Sequence, residues 1–399
     1  MRIRINKTRS VETEKVLLFF SVLFVVYLTD SLLFATINKS FFLMARRVLP
    51  IMIALVLLIR YHYIDKTVLF VCVSIFFSML KAGRLSNGFF YYSQIGVLLF
   101  GYVYAKYHDF DSFIDMFIVI MRIIIVFSLI AFSLSRIISS IPFIPTITNS
   151  SGNRFKFLFF TNVPVTSWSY RRNWGPFWEP GVFQYYINLS ILFSFFRRRK
   201  GWYIDIIIFL LADLTTLSGA AILPLPFILL AYILNDESIN ENKRKFAIIL
   251  SLVFFVFVLM SSGYFDEISA KITGMEGDSN SRGYRLGSMI ANLKAAITHP
   301  LFGASPEYQD SLRVDIISQL NDITAKGGNT NTVLGFFSYF GFVVGFYFTK
   351  RIYSISKLLT LNPISRICIF IAIFLMTSNE NLMQSLILFV LMFSEKKDL

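Results

Sequence analysis

MFIVIMRIIIVFSLIAFSL, residues 116–134, decides the fold class. It is one apolar run of the length a single helix needs to cross a hydrocarbon core, about 20 residues. Its one charge, Arg122, lies several residues inside and must face protein or water. Two roles fit such an arginine: a structural or snorkelling group, or a contact to substrate. The rest of the chain repeats the pattern. Of 399 residues, 55% are hydrophobic and 17% aromatic, with 45 phenylalanines. Only 16% are charged, against about 25% in soluble domains. Mean hydropathy is +0.63. These values predict an all-α, polytopic membrane protein forming a single transmembrane domain over residues 1–399.

About twelve spans are expected, near residues 16–36, 42–60, 66–81, 88–105, 114–136, 181–196, 202–218, 219–235, 245–262, 330–349, 363–378 and 382–394. The first run is too long for a cleavable signal and lacks a small-residue cleavage site. A net charge of +14 raises nucleic acid as a partner. That reading fails because much of the charge sits in short clusters beside apolar spans, where the positive-inside rule accounts for it. Arg2, Arg4, Lys7 and Arg9, then Arg197–Lys200, Lys243–Lys245, Lys350–Arg351 and Lys396–Lys397 share one side under this span count. That side is cytoplasmic. Lys39, Arg46, Arg47, Lys81 and Arg84 fall outside. Two longer segments, about 137–180 and 262–329, then face outward, and amphipathic helices are expected in them.

Several chemistries are excluded. Cys72 and Cys368 lie within apolar runs, so a disulfide framework is not expected. His62, His108 and His299 are scattered, and no metal-ligand spacing or nucleotide-binding glycine motif occurs, so neither metal nor other cofactor is expected. A transporter would bury ionisable groups in its spans; here those are few, namely Asp30, Arg122 and Asp213.

The outer segments hold most of the charge that topology does not explain. The first ends in Tyr170-Arg171-Arg172-Asn173-Trp174-Gly175-Pro176-Phe177-Trp178-Glu179-Pro180-Gly181. Glu179 is the only acidic residue from Ile137 to Pro180, against Arg154, Lys156, Arg171 and Arg172. A lone carboxylate among arginines and tryptophans at a membrane face suits chemistry on an anionic, lipid-linked substrate. Trp and Arg also serve as interfacial anchors. Tyr170, Trp174 and Trp178 offer flat faces for sugar rings, or a belt in the headgroup layer.

In the second segment Leu286, Met289, Ile290, Leu293 and Ile297 recur at helical spacing, with Ser281 as N-cap and His299-Pro300 as the stop. Arg282 and Arg285 share a face near the helix start, where amide groups and dipole favour phosphate. The alternative is an amphipathic helix on the membrane surface with its arginines on headgroups. A second stretch keeps Leu312, Ile316, Leu320 and Ile323 in register up to Gly327-Gly328. Its polar residues Asp310, Arg313, Asp315 and Asp322 read as a solvated face. His299 reads first as part of a turn and second as a base. Asn329 and Asn331 cap the next helix or bind sugar hydroxyls.

Arg172-x-x-Gly175-x-x-x-Glu179-Pro180 before a span resembles the bacterial O-antigen and capsular polysaccharide polymerases of the O-antigen polymerase/ligase superfamily. So do Ser281-Arg282 in a second outer loop, His299-Pro300-Leu301-Phe302-Gly303 after it, and Asn331 at the next helix. The resemblance implies an inner-membrane glycosyltransferase with its site on the periplasmic face. It acts on undecaprenyl-pyrophosphate-linked oligosaccharide, independently of metal. A flippase and a chain-length regulator of the same pathway are implied partners, beside membrane lipid. Arg172 and Arg282 are implied pyrophosphate contacts. The product would be O-antigen, capsule or exopolysaccharide. Ligases of the superfamily carry a His-Asn pair where Thr330-Asn331 stands here. For the reaction itself, Glu179 is the candidate base; its other role is to pair with Arg172. The alternatives are a ligase of the same superfamily and a lipid-linked polysaccharide flippase.

Overall fold

The structure, a computed structural model, describes residues 7–35, 40–61, 64–83, 85–149, 152–165, 172–218, 222–236, 240–242, 280–321 and 328–396, with residues 245, 249 and 253 between them. Among these the order is α1 (Lys7–Asp30), α2 (Leu32–Ala35), α3 (Ser40–Tyr61), α4 (Lys66–Ala82), α5 (Leu85–Tyr107), α6 (Phe110–Ser133), α7 (Ser135–Ser140), β1 (Thr146–Thr148), β2 (Arg154–Leu158), β3 (Thr161–Pro164), α8 (Pro180–Arg197), α9 (Trp202–Thr216), α10 (Pro224–Asn235), α11 (Asn280–Thr298), α12 (Pro306–Asn321), α13 (Thr332–Leu359), α14 (Pro363–Ser378) and α15 (Leu386–Phe393). The chain is mostly helical. Among the described residues α6 and α13 are long and apolar enough to cross a membrane, and α10 and α14 are shorter apolar helices. The expected span at 245–262 lies almost wholly outside the described residues. The chain packs as two units: Met1–Arg46 with Tyr104–Leu217 and Ser394–Leu399, and Arg47–Val103 with Ser218–Phe393.

In the first unit, Asp109 starts α6 by accepting a hydrogen bond from the Ser112 amide at 2.9 Å. Phe110, Phe113, Ile114, Phe117, Met121 and Ile124 recur every three or four residues and form its buried face. Phe127 and Ile130 stay half exposed. Arg122 meets Asp205 of α9 at 2.6 Å, so this arginine has a structural partner. Asp205 is buried, and removing its guanidinium partner would leave it uncompensated. Arg197, at the end of α8, grips Asp115 through Nε (3.0 Å) and Nη2 (3.1 Å) and reaches Asp111 at 2.9 Å. This fork ties the end of α8 to the start of α6. α8 begins with Pro180, whose fixed φ suits a first turn. It is buried on all sides from Pro180 to Ser194, between α6 and α9. An apolar helix without an exposed face is a core element.

The segment 137–180 corrects the all-α expectation. In place of amphipathic helices it folds, after the six-residue α7, into an antiparallel sheet in the order β1-β2-β3. Thr146 faces Lys156, and Phe155 faces Pro164. Asn149 builds the first turn: its side chain accepts from the Asn153 amide (2.9 Å) and its carbonyl from Gly152 (3.0 Å). Phe155 then inserts beside Leu32 and Trp174 in a buried cluster.

In the second unit, α13 runs 28 residues but breaks at Gly341, which has φ 82° and ψ 177°. The turn after α11 docks into this break. Phe342 donates its amide to the Pro300 carbonyl, and Ala304 donates to the Ser338 carbonyl, both at 2.7 Å. A Cβ on Gly341 would lie 2.3 Å from the Leu301 oxygen, and one on Gly303 would lie 2.2 Å from the Tyr339 carbonyl carbon. Only glycine admits backbones this close. The His299-Pro300-Leu301-Phe302-Gly303 turn is therefore a docking element as well as a helix stop.

One further correction concerns this unit. On α11 the apolar stripe is not the packed face. Met289, Ile290, Leu293 and Ile297 are exposed, whereas Gly287, Ser288, Ala291, Asn292 and Ala295 are buried. Small residues let α12 and α13 approach closely. Leu312 and Ile316 of α12 do pack inward, with Ala291, Ala295 and Ala304. Arg313, however, does not belong to a solvated face. It is 1% exposed and donates to Tyr339 Oη (3.4 Å) and Asp310 (2.9 Å). A hydrogen-bonded seam joins these helices. Asn292 Nδ2 donates to Asn329 Oδ1 at 2.9 Å, and Ser338 Oγ lies within 3.0 Å of Asn292 Oδ1 and 2.9 Å of Gln309 Oε1.

Candidate functional site

In the first unit the segment from Arg172 to Glu179 is held by backbone and by side-chain hydrogen bonds. Asn173 donates its amide to the Thr215 carbonyl (2.9 Å), and its side chain donates to Thr215 Oγ1 (3.0 Å) and Ser128 Oγ (3.3 Å). Its Oδ1 accepts from the Gly175 amide at 3.1 Å, an Asx-type turn. The Gly175 carbonyl accepts from the Asn162 amide of β3 at 2.7 Å. Leu32 donates to the Pro176 carbonyl (2.8 Å), and Phe177 stacks on Tyr186 at 4.3 Å. The loop is thus clamped between the end of α1, the sheet and the start of α8.

This scaffold sorts the expected site residues. Arg172 is half-buried and anchors its Nε on the Thr216 carbonyl, the last of α9, at 3.0 Å; cations favour helix carboxyl ends. Arg172 also lines a small cleft, of about the size of one water, with Phe132, Ser135, Thr161, Asn162 and Asn173. Glu179 sits at the cap position of α8, partly exposed. Its carbonyl accepts from Phe183 at 3.2 Å, and its side chain makes no cap hydrogen bond. The amino end of a helix favours negative charge there. Trp178 is partly buried beside the Phe155 cluster. Trp174 is 9% exposed and packs edge-on to Phe155 at 4.8 Å, so its position is that of a core residue and not of an open sugar platform. Tyr170 and Arg171 lie outside the described residues.

In the second unit Arg282 falls in the first turn of α11 and Arg285 one turn on. Arg285 meets Glu380 at 3.3 Å; the Glu380 side chain is 5% exposed and that of Arg285 31%. Thr332 Oγ1 links the Glu380 carbonyl (2.6 Å) to the Leu382 amide (2.6 Å). His299 follows α11, with Nδ1 2.9 Å from Thr298 Oγ1 and its ring edge-on to Tyr308. Partial burial, and second the Lys81 ammonium, hold its pKa below the usual histidine value, against an opposing backbone hydrogen bond at Ala295. Neutral imidazole is its form at pH 7. Asn331 caps α13 by accepting from the Leu334 amide at 2.9 Å. It is 1% exposed, so the capping role holds this side chain.

Sequence reading did not reach Glu380, Asp205 or Asn162. Glu380 had a signal: the polar break Thr377-Ser378-Asn379-Glu380-Asn381 between two apolar runs. Among the described residues no group of three or more His, Cys, Asp or Glu side chains could hold a metal ion. Comparison with protein-family models, curated proteins and solved structures finds no match to this chain.

Proposed function

We propose that this chain is a polytopic inner-membrane glycosyltransferase of about twelve spans. It polymerises undecaprenyl-pyrophosphate-linked oligosaccharide on the outer membrane face, to O-antigen, capsule or exopolysaccharide. The observation that carries the reading is the Arg172–Glu179 loop. A backbone-clamped turn presents a guanidinium at a polar cleft and, seven residues on, a carboxylate at the amino end of a buried helix.

In the proposed reaction a sugar hydroxyl attacks the anomeric carbon of the lipid-linked glycan. The new C–O bond forms as the bond to pyrophosphate breaks, and the pyrophosphate oxygen takes the electron pair. Arg172 meets that charge. A guanidinium is permanently cationic and grips phosphate oxygens as a fork. Arg282 and Arg285 of α11 are further candidates for phosphate contact. Glu179 takes the hydroxyl proton, and Trp178 supports a sugar ring. His299 is a secondary candidate for substrate contact.

The test is deletion of the gene followed by gel analysis of surface glycan. A polymerase deletion leaves single repeat units on the final acceptor. Loss of all attached glycan would mark a ligase instead, and repeat units trapped on the inner face would mark a flippase.

A further inference from the structure

We propose that the cleft beside Arg172 reads a hydroxyl of the sugar next to the pyrophosphate, with the Asn162 side-chain oxygen as acceptor. This deepens the polymerase reading and rests on it.

The argument starts from how Asn162 is held. It is 3% exposed on β3. Its backbone amide and its Nδ2 both donate to the Gly175 carbonyl, at 2.7 and 3.2 Å. A carbonyl only accepts, so the side-chain nitrogen must face Gly175, and flipping the amide would set oxygen against oxygen. The orientation is fixed, and Oδ1 is left without a hydrogen-bond partner in the protein. A buried acceptor in that state is a standing cost that a donor from a ligand removes.

The surroundings narrow the ligand. Asn162 lines the same cleft as Arg172, Asn173, Thr161 and Ser135, with Phe132 as an apolar wall. One turn holds both polar anchors: Asn173 Oδ1 accepts from the Gly175 amide, and the Gly175 carbonyl holds Asn162. Arg172 is fixed separately to the end of α9. A cation and an orphaned acceptor are therefore preset on one rigid frame, as selective polar sites require. The matching ligand carries an anionic oxygen and a hydroxyl donor close together, beside an apolar surface. A glycosyl phosphate has these features; a bare phosphate lacks the donor.

The experiment compares two carriers bound to the full-length protein in nanodiscs. One is undecaprenyl pyrophosphate. The other is the glycan-bearing carrier extracted from cells lacking this gene. Asn162→Ala removes the acceptor. Ser135→Leu obstructs the cleft from α7 without touching the bonds of Asn162, which guards against a folding artefact. Asn162→Ala should bind the glycan-bearing carrier about tenfold more weakly, one hydrogen bond's worth, and the bare carrier as wild type does. Ser135→Leu, which narrows the cleft that Arg172 shares, and Arg172→Ala should weaken both. Wild-type binding of the glycan-bearing carrier by Asn162→Ala, or its equal loss of both carriers, overturns the cleft assignment alone. A wild-type protein that binds neither carrier overturns the polymerase reading and the cleft with it.

Discussion

Breaking the Arg285–Glu380 pair from either side should have unequal effects. The carboxylate is 5% exposed and the guanidinium 31%, so the two groups differ in access to water. Arg285→Met takes the guanidinium away from a buried carboxylate. Removing one partner of a fully buried pair costs about 3–5 kcal/mol; partial solvent access at Arg285 lowers this to about 2–3 kcal/mol. Glu380→Gln keeps an acceptor for Arg285 and leaves the arginine near water. It loses charge assistance only, about 1–2 kcal/mol. Combining the two removes the buried charge, so the double variant should melt above Arg285→Met alone. In a cycle the coupling should be about 2–3 kcal/mol, above the cost of Glu380→Gln alone. Melting of the purified protein in one detergent, with all four variants in parallel, gives the order. If the double variant melts below both single variants by the sum of their effects, the pair is not a coupled unit and Glu380 does not hold Arg285.

Gly341→Ala should destabilise by about 3–5 kcal/mol, from a backbone region closed to alanine and about two lost docking hydrogen bonds; an unchanged melting point would show that the turn after α11 does not dock there. Arg172→Ala should lower polymerisation about 10²–10³-fold, and Arg172→Lys should restore it only in part, lacking the fork; full rescue by lysine would reduce the role to point charge. Glu179→Gln should cut turnover about 10²–10⁴-fold with lipid-linked substrate still bound; a rate within tenfold of wild type removes it as base. The lowered pKa of His299 means that the fold disfavours its protonated form. The stability it contributes is present above the unfolded value of about 6.5 and is lost as pH falls from there through the lower folded value. His299→Gln should flatten melting against pH across that window, and an unaltered profile would place the titration elsewhere.

The run from Phe110 to Ser133 was legible because length and apolar content suffice to identify such a helix. The sheet was not, although Thr146-Ile147-Thr148 and Arg154-Phe155-Lys156-Phe157-Leu158 alternate around a turn-forming Asn149. Helical expectations for a membrane chain overrode that period-2 signal. The packed face of α11 was not legible: small side chains allow close approach, so Ala291 and Ala295 face inward and Ile297 outward. Arg313 was misplaced because sequence shows a charge and not the Tyr339 hydroxyl that accepts from it. At the candidate site, Arg172, Glu179 and Arg285 were visible as residue types. Asn162 and Glu380 matter through partners that only folding brings near.

The break in α13 also sets an order of assembly. Gly303 docks opposite Tyr339, seven residues past Thr332, or about 10 Å along a helix rising 1.5 Å per residue. If α13 crosses the bilayer, the turn after α11 is re-entrant and reaches well into a hydrocarbon layer about 30 Å thick. Irregular backbone survives at that depth only when protein covers it. Yet residues 299–304 leave the ribosome before the carbonyl and amide that satisfy them exist. On that placement the turn waits in the aqueous phase until α13 has inserted, and then dips inward to meet it. Biogenesis should therefore pass through a species with α13 inserted and this turn still open to water, closing in a late step that Gly341 makes possible.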